Sequence, residues 1–109
     1  MAYDAKLAER IRKLLTRRSS VTEKEQFGGV GFLYRGNMAV GVLGADLLVR
    51  VGPQQHEAAL KSPHARPFAL AGRPSKGWVL VGPSGVKSAA GLQKWVELGL
   101  AFAKTLPAK

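Results

Sequence analysis

The spacing of apolar side chains changes along the chain, and each change marks an element. Leu7, Ile11, Leu14 and Leu15 fall at i, i+4, i+7 and i+8, the single stripe of an amphipathic helix. Asp4 precedes them as an N-cap, because a carboxylate there accepts hydrogen bonds from the first free backbone N–H groups. The helix is expected to end near Arg17–Ser19, where Arg17 and Arg18 suit the negative end of the helix dipole. Beyond residue 20 the period shortens to that of strands. Val21–Phe27 alternates loosely, Gly28-Gly29 permits a reversal, and Val30–Tyr34 is rich in strand formers. Gly36-Asn37 predicts a two-residue hairpin turn into Met38–Val42, and Gly44-Ala45 turns the chain into Asp46–Val51. Connections this short exclude parallel crossovers, so four antiparallel strands form a meander.

Pro53 is expected to open a short helix through Leu60, which Pro63 ends. Arg66–Leu70 and Gly77–Val81 predict one or two further strands around a Gly72-Arg73-Pro74 loop, and Ser84–Gly91 reads as loop. A last helix from about Gly91 to Thr105 carries Leu92, Trp95, Val96, Phe102 and Leu106, with Leu98 and Leu100 widening the apolar face. Gly99 sits within it and costs about 1 kcal/mol relative to Ala, a cost offset where a sheet or helix comes close. Trp95, Leu98, Leu100 and Phe102 make a face broad enough to cover the chain's own sheet and touch a second copy, so a homodimer is expected. The fold class is α+β: an antiparallel sheet, a four-stranded meander plus one or two further strands, flanked by N- and C-terminal helices in a single domain, residues 1–109.

Size and composition agree with one core. A chain of 109 residues buries roughly two-thirds of its unfolded surface, and 46% hydrophobic with 22% charged residues is an ordinary globular mix. The absence of cysteine excludes disulfides, Cys-based metal sites and thiol catalysis. Charges at Asp4, Lys6, Glu9, Arg10, Arg12 and Lys13 leave no apolar signal core, and no apolar run reaches the roughly 20 residues of a membrane span. The chain reads as cytoplasmic, with no membrane partner.

The net charge of +10 is unevenly spread. Residues 1–20 carry +4, residues 21–60 carry −1 and residues 61–109 carry +7. On the first helix Lys6, Arg10, Lys13 and Arg17 recur at i, i+4, i+7 and i+11, within about 60° of one another and roughly 120° from the leucine stripe. Four cations in line suit phosphates. They also suit a solvated helix face, and no aromatic is interleaved to stack a base.

Sharper motifs fail on spacing. Gly82-Pro-Ser-Gly-Val-Lys87-Ser88 resembles a phosphate-binding loop, yet Val86 replaces the glycine before the lysine and the Gly-to-Lys spacing is one short. Gly28-Gly29-Val30-Gly31 has Tyr34 where a dinucleotide fingerprint has its third glycine. Gly72-Arg73-Pro74 resembles a minor-groove hook but is preceded by Ala71, and reads as a turn. His56 and His64 are separated by Pro63 and have only Glu57 nearby, so no metal or cofactor is expected. Pro83-Ser84-Gly85 is not a nucleophile elbow, and Glu23 and Glu25 share a strand face as solvated acids. No acid/base constellation emerges, and no enzyme is expected.

An ordered series of short segments carries a resemblance. Leu7-Ala8-Glu9-Arg10-Ile11, Val21-Thr22-Glu23-Lys24, Phe27-Gly28-Gly29, Gly36-Asn37-Met38, Leu48-Val49-Arg50-Val51-Gly52, Pro63-His64-Ala65-Arg66-Pro67, Lys76-Gly77-Trp78-Val79 and Trp95-Val96 make the chain similar to the TfoX/Sxy N-terminal domain family. Gln26 and Ser75 stand where that family usually has Met. The resemblance implies an antiparallel sheet flanked by helices, frequent dimers and no established catalysis. It also implies kinship with competence regulators that act as transcriptional co-activators and carry a second, C-terminal domain, which is not expected after Lys109. Arg50, Arg66 and Lys76 match the family's recurrent basic positions and are candidates for a shared surface, or for pairing with Asp46 or backbone carbonyls. The expected function is a small regulatory or interaction module acting through a protein partner; the alternative is weak, sequence-indifferent nucleic-acid binding through Lys6, Arg10, Lys13 and Arg17.

Overall fold

The Asp4 carboxylate accepts hydrogen bonds from the backbone N–H groups of Lys6 (2.9 Å) and Leu7 (3.2 Å), and α1 (Ala5–Leu15) starts there. The computed structural model describes residues 3–16, 20–26, 28–70 and 73–108. The helix closes on Thr16 as its C-cap, and the end expected at Arg17–Ser19 lies outside the described residues. Its buried side chains are Leu7, Ala8, Ile11 and Leu15, whereas Leu14 is 36% exposed. Ala8 displaces Leu14 from the expected stripe because Leu14 lies about 75° from the centre of the buried arc at 100° per residue.

Six strands follow: β1 (Val21–Gln26), β2 (Gly29–Tyr34), β3 (Asn37–Leu43), β4 (Asp46–Arg50), β5 (Ala65–Leu70) and β6 (Arg73–Val81), with α2 (His56–Leu60) before β5 and α3 (Ala89–Ala103) last. They form one antiparallel sheet in the order β1-β2-β3-β4-β6-β5. The meander and both extra strands are therefore as expected, and the class is α+β. The chain passes from β4 through α2 to the outer strand β5, then turns back so that β6 fills the place beside β4.

Four boundaries differ from expectation, each for a local reason. α2 begins at His56 and not at Pro53, because residues 53–55 form a turn in which the Gln55 N–H donates to the Gly52 carbonyl at 3.3 Å. The β2–β3 turn is Arg35-Gly36, not Gly36-Asn37: Arg35 (φ 50°) and Gly36 (φ 86°) take the two left-handed positions, and Tyr34 pairs with Asn37. Asn37 is buried, and its amide donates to the Pro107 carbonyl at 2.8 Å, tying the segment after α3 to the start of β3. β6 begins at Arg73 instead of Gly77, since β5 pairs with it from Leu70↔Arg73 onward. Pro67 is tolerated because β5 is an edge strand with no ladder on its outer side. α3 begins at Ala89 instead of Gly91, because Ser88 caps it by accepting the Gly91 N–H at 3.0 Å.

Strand alternation sorts the sheet into two faces. Val30, Phe32, Val40, Val42, Leu47, Val49, Val79 and Val81 point to one side and are buried with α1 and α3. The α3 axis passes over β3 and β4 with Leu92, Trp95, Val96, Leu100 and Ala103 buried. The closest approach is at Gly99, where an added Cβ would press on the Ala39 carbonyl oxygen and lie 2.8 Å from Val40 Cγ1. The mid-helix glycine thus serves the close approach its position suggests.

This approach sets a test. In an open helix Gly→Ala stabilises by about 1 kcal/mol. Here Gly99→Ala is expected to destabilise by about 1–3 kcal/mol, because α3 must move off backbone that cannot yield. Urea denaturation measures the sign; a stabilised variant would mean that α3 and β3 are not in contact at Gly99.

Candidate interaction surface

The proposed basic line on α1 is broken by its own tertiary contacts. Arg10 is half-buried and donates to the carbonyls of Lys87 (3.3 Å) and Ser88 (3.4 Å), which anchors α1 to the loop before α3. Lys6 and Lys13 remain exposed, and Arg17 lies outside the described residues. Arg12, which has no place in that line, bridges α1 to β1: it donates to Glu23 at 2.6 and 2.8 Å and to Glu9 at 2.6 Å. These hydrogen bonds hold the Glu23 carboxyl below its ordinary value and the Arg12 guanidinium above its own. Glu23 and Glu25 are consequently not idle: Glu25 accepts from the Tyr3 hydroxyl at 3.3 Å, and that hydrogen bond contributes, after burial, to raising the tyrosine's pKa.

Of the family-like cations, Arg66 is paired with Asp46, one of the two fates expected of it, and Lys76 is exposed. Arg50 is different. Its guanidinium lies 5.0 Å from the Trp78 ring centroid and 5.3 Å from that of Phe102. It therefore joins β4, β6 and α3 by cation–π contact. Burial lowers its pKa, but a guanidinium stays cationic at any physiological pH. Among the described residues no hydrogen bond or ion pair engages it.

The four residues expected to face a second copy are used within the chain. Trp95 and Leu100 are 4% and 1% exposed in the core, and Leu98 packs against that core. Phe102 is half-buried beneath Arg50. Much of the apolar breadth of α3 is taken up in covering both β3 and β4. Leu98, Ala101 and Phe102 do border a shallow groove of about 710 Å³ against residues 51–55.

On the sheet face opposite the helices Leu33, Met38, Phe68 and Trp78 are half-buried and Leu48 is 6% exposed. Leu33, Met38, Leu48, Phe68 and Trp78 line a groove of about 770 Å³ there, with Lys24 and Arg50 among its borders. The paired glycines Gly31 and Gly41 form part of its floor and keep it low. Among the described residues no helix packs over it. Sequence reading missed this face because alternation marks both sides of an apolar strand as buried. The signal lay in Leu33, Leu48 and Trp78, which are out of phase with the core positions, whereas Met38 is in phase with Val40 and Val42 and comes to this face through the register shift at Phe32/Leu33.

Of the rejected motifs, the Gly28-Gly29-Val30-Gly31 run lends Val30 and Gly31 to this groove as part of β2, and the others are not among its described lining residues. Pro83–Gly85 forms one 3₁₀ turn, with Ser84 Oγ 3.1 Å from His64 Nδ1 on the exposed surface. His56 Nδ1 accepts the Gly77 N–H at 2.9 Å, joining α2 to β6. Among the described residues no group of His, Asp and Glu side chains could hold a metal ion, and no helix is long and apolar enough to cross a membrane.

The model of the TfoX N-terminal domain matches residues 13–103, which includes every strand and all of α3. The chain belongs to the TfoX N-terminal domain family. No curated protein and no solved structure matches it. Within this TfoX N-terminal domain, Arg50 and Arg66 thus combine exposure with internal ties, and Arg50 alone of the two has no acidic partner among the described residues.

The Arg12–Glu23 bridge yields a pH prediction. Its side chains are 44% and 36% exposed, so solvent screening limits it to about 1 kcal/mol or less. A carboxyl whose pKa is lowered by folding stabilises the fold above its unfolded value and loses that contribution as pH falls. Glu23→Gln should therefore be slightly less stable than the parent at pH 7, and the difference should shrink below the ordinary value of 4.5. Thermal melts of both proteins between pH 3 and 7 measure it; a difference constant with pH would count against the bridge.

Proposed function

We propose that this TfoX N-terminal domain is a non-enzymatic interaction module that binds a protein partner through the open face of its sheet. The observation that carries the reading is the one-sided layering: both long helices lie on one face, while the other carries an apolar groove bordered by an arginine that has no acidic partner among the described residues. A sheet normally buries such side chains against a second layer, and an apolar surface rimmed by polar residues is a feature of interaction sites. The titratable groups add support, since Glu9, Glu23, Glu25 and Asp46 are engaged in structural contacts and converge on no cleft. The α1 line is a weaker candidate for nucleic acid, with Arg10 committed to backbone carbonyls.

Photo-crosslinking in the cell that makes the protein tests the reading. A benzophenone side chain placed at Leu33, on the open face, should give one discrete adduct with a second protein. The same group at Lys13, on α1, should give none. Adducts at Lys13 alone, or transfer of radiolabelled nucleic acid from either position under ultraviolet light, would overturn it.

A further inference from the structure

The chemistry of the groove specifies its partner more closely. We infer that it receives an acidic, amphipathic segment of the partner protein, laid across the strands with one carboxylate on Arg50 and a second near Lys24. This rests on the interaction reading above and names what that face would bind.

Arg50 is the first reason. Its guanidinium is already held between Trp78 and Phe102, at 5.0 and 5.3 Å from their centroids. Its donors have no acidic or carbonyl acceptor among the described residues. A planar fork fixed on aromatic faces keeps its edge for a carboxylate, and little side-chain freedom is left to lose on binding. Partial burial, which already lowers its pKa, strengthens any pairing made there relative to one in open water.

Geometry is the second. Lys24 and Arg50 lie on β1 and β4, three strand spacings apart in the sheet order, and the register sets Lys24 level with Leu48, two residues before Arg50; about 14 Å across and about 7 Å along the strands give about 16 Å. Leu33, Met38 and Leu48 occupy the strands between and beside them. Helical positions eleven residues apart share a face and are separated by about 16 Å, so two acids at that interval would bracket apolar side chains resting on the groove floor.

Charge favours an acidic occupant over its rivals. A second copy brings another +10, and the same face of it offers Arg50 no carboxylate among the described lining residues. Single-stranded nucleic acid needs free aromatic faces and a longer track of cations. Trp78 has Arg50 over its ring and Phe68 at 6.5 Å, inclined by 50°, and the floor is otherwise aliphatic.

The test uses an 18-residue helical peptide carrying rhodamine, with two Glu residues eleven positions apart and Leu at the third, fourth, seventh and eighth positions after the first Glu. Its counterpart has Gln for both Glu residues, and rhodamine-labelled oligo-dT is the third probe. Fluorescence anisotropy with the intact protein should show the Glu peptide binding about tenfold more tightly than the Gln peptide. Arg50→Gln should lose about tenfold for the Glu peptide and little for the Gln peptide, Lys24→Gln about two- to threefold, and Lys13→Gln nothing. Should Arg50→Gln fail to fold, the Glu/Gln comparison on the parent protein still decides. Equal binding of the two peptides, or tighter binding of oligo-dT, overturns the inference. A Leu33 crosslink to a protein partner with equal peptide affinities would leave the interaction reading standing and remove only the acidic segment.

Discussion

The architecture depends on how closely α3 lies on β3. At Gly99 the helix has no side chain, and an added Cβ would meet the backbone of Ala39 and the side chain of Val40. A helix this near the sheet can place Trp95, Val96, Leu100 and Ala103 deep in the strand layer, each large apolar side chain contributing roughly 1.5–3 kcal/mol by leaving water. The contact also fixes where α1 sits, since Leu7, Ile11 and Leu15 join the same core. Once one face has been filled in this way, no long helix is left for the other among the described residues. Among the described residues the only other helix is the five-residue α2, and it packs on β5 and β6. The open groove is thus a consequence of the close approach and not a separate feature.

Charge follows the same economy of elements. The chain has seven acidic residues against seventeen basic ones, and five of the seven stand at junctions: Asp4 at the start of α1, Glu9 and Glu23 on Arg12, Glu25 on Tyr3, and Asp46 on Arg66. Exposed pairs of this kind contribute only about 0–1 kcal/mol each. Their larger effect is on what remains, because an acid committed to an internal junction is withdrawn from the neutralisation of other cations. The positive surplus is thereby left on the surface and at Arg50, where aromatic faces take the place of an acid.

Much of the fold was legible because its signals are local. Asp4 as a cap, the strand-period run after residue 20, the short meander connections and Gly99 each act through neighbours in sequence or through a single close contact. The misreadings involve partners far away in the chain. Asn37 looked like a turn residue, but Pro107, seventy positions on, claims its amide. Arg10 looked free on its helix, but the carbonyls of Lys87 and Ser88 take its donors. Trp95 and Leu100 looked like surplus apolar surface because the width of sheet to be covered is invisible until β3 and β4 are paired. The resemblance in ordered motifs was sound for the same reason that the local reading was: short segments around turns and strand starts carry their constraint with them.

Arg50 joins the structural and functional arguments. Its sequence setting, Leu48-Val49-Arg50-Val51, reads as one alternating strand, and the charge falls on the side away from the core. A lysine there would preserve the charge but not the planar stacking on Trp78 and Phe102, since an ammonium is a compact, strongly hydrated ion. The position therefore favours a cation that can be partly desolvated without an acidic partner. The cation–π contacts hold the guanidinium, and among the described residues no acceptor takes its donors. A purely structural arginine would be expected to spend those donors on acceptors within the chain, as Arg10, Arg12 and Arg66 do. Arg50 sits at the border of the uncovered apolar groove, where a carboxylate brought by another molecule can satisfy what the fold itself does not.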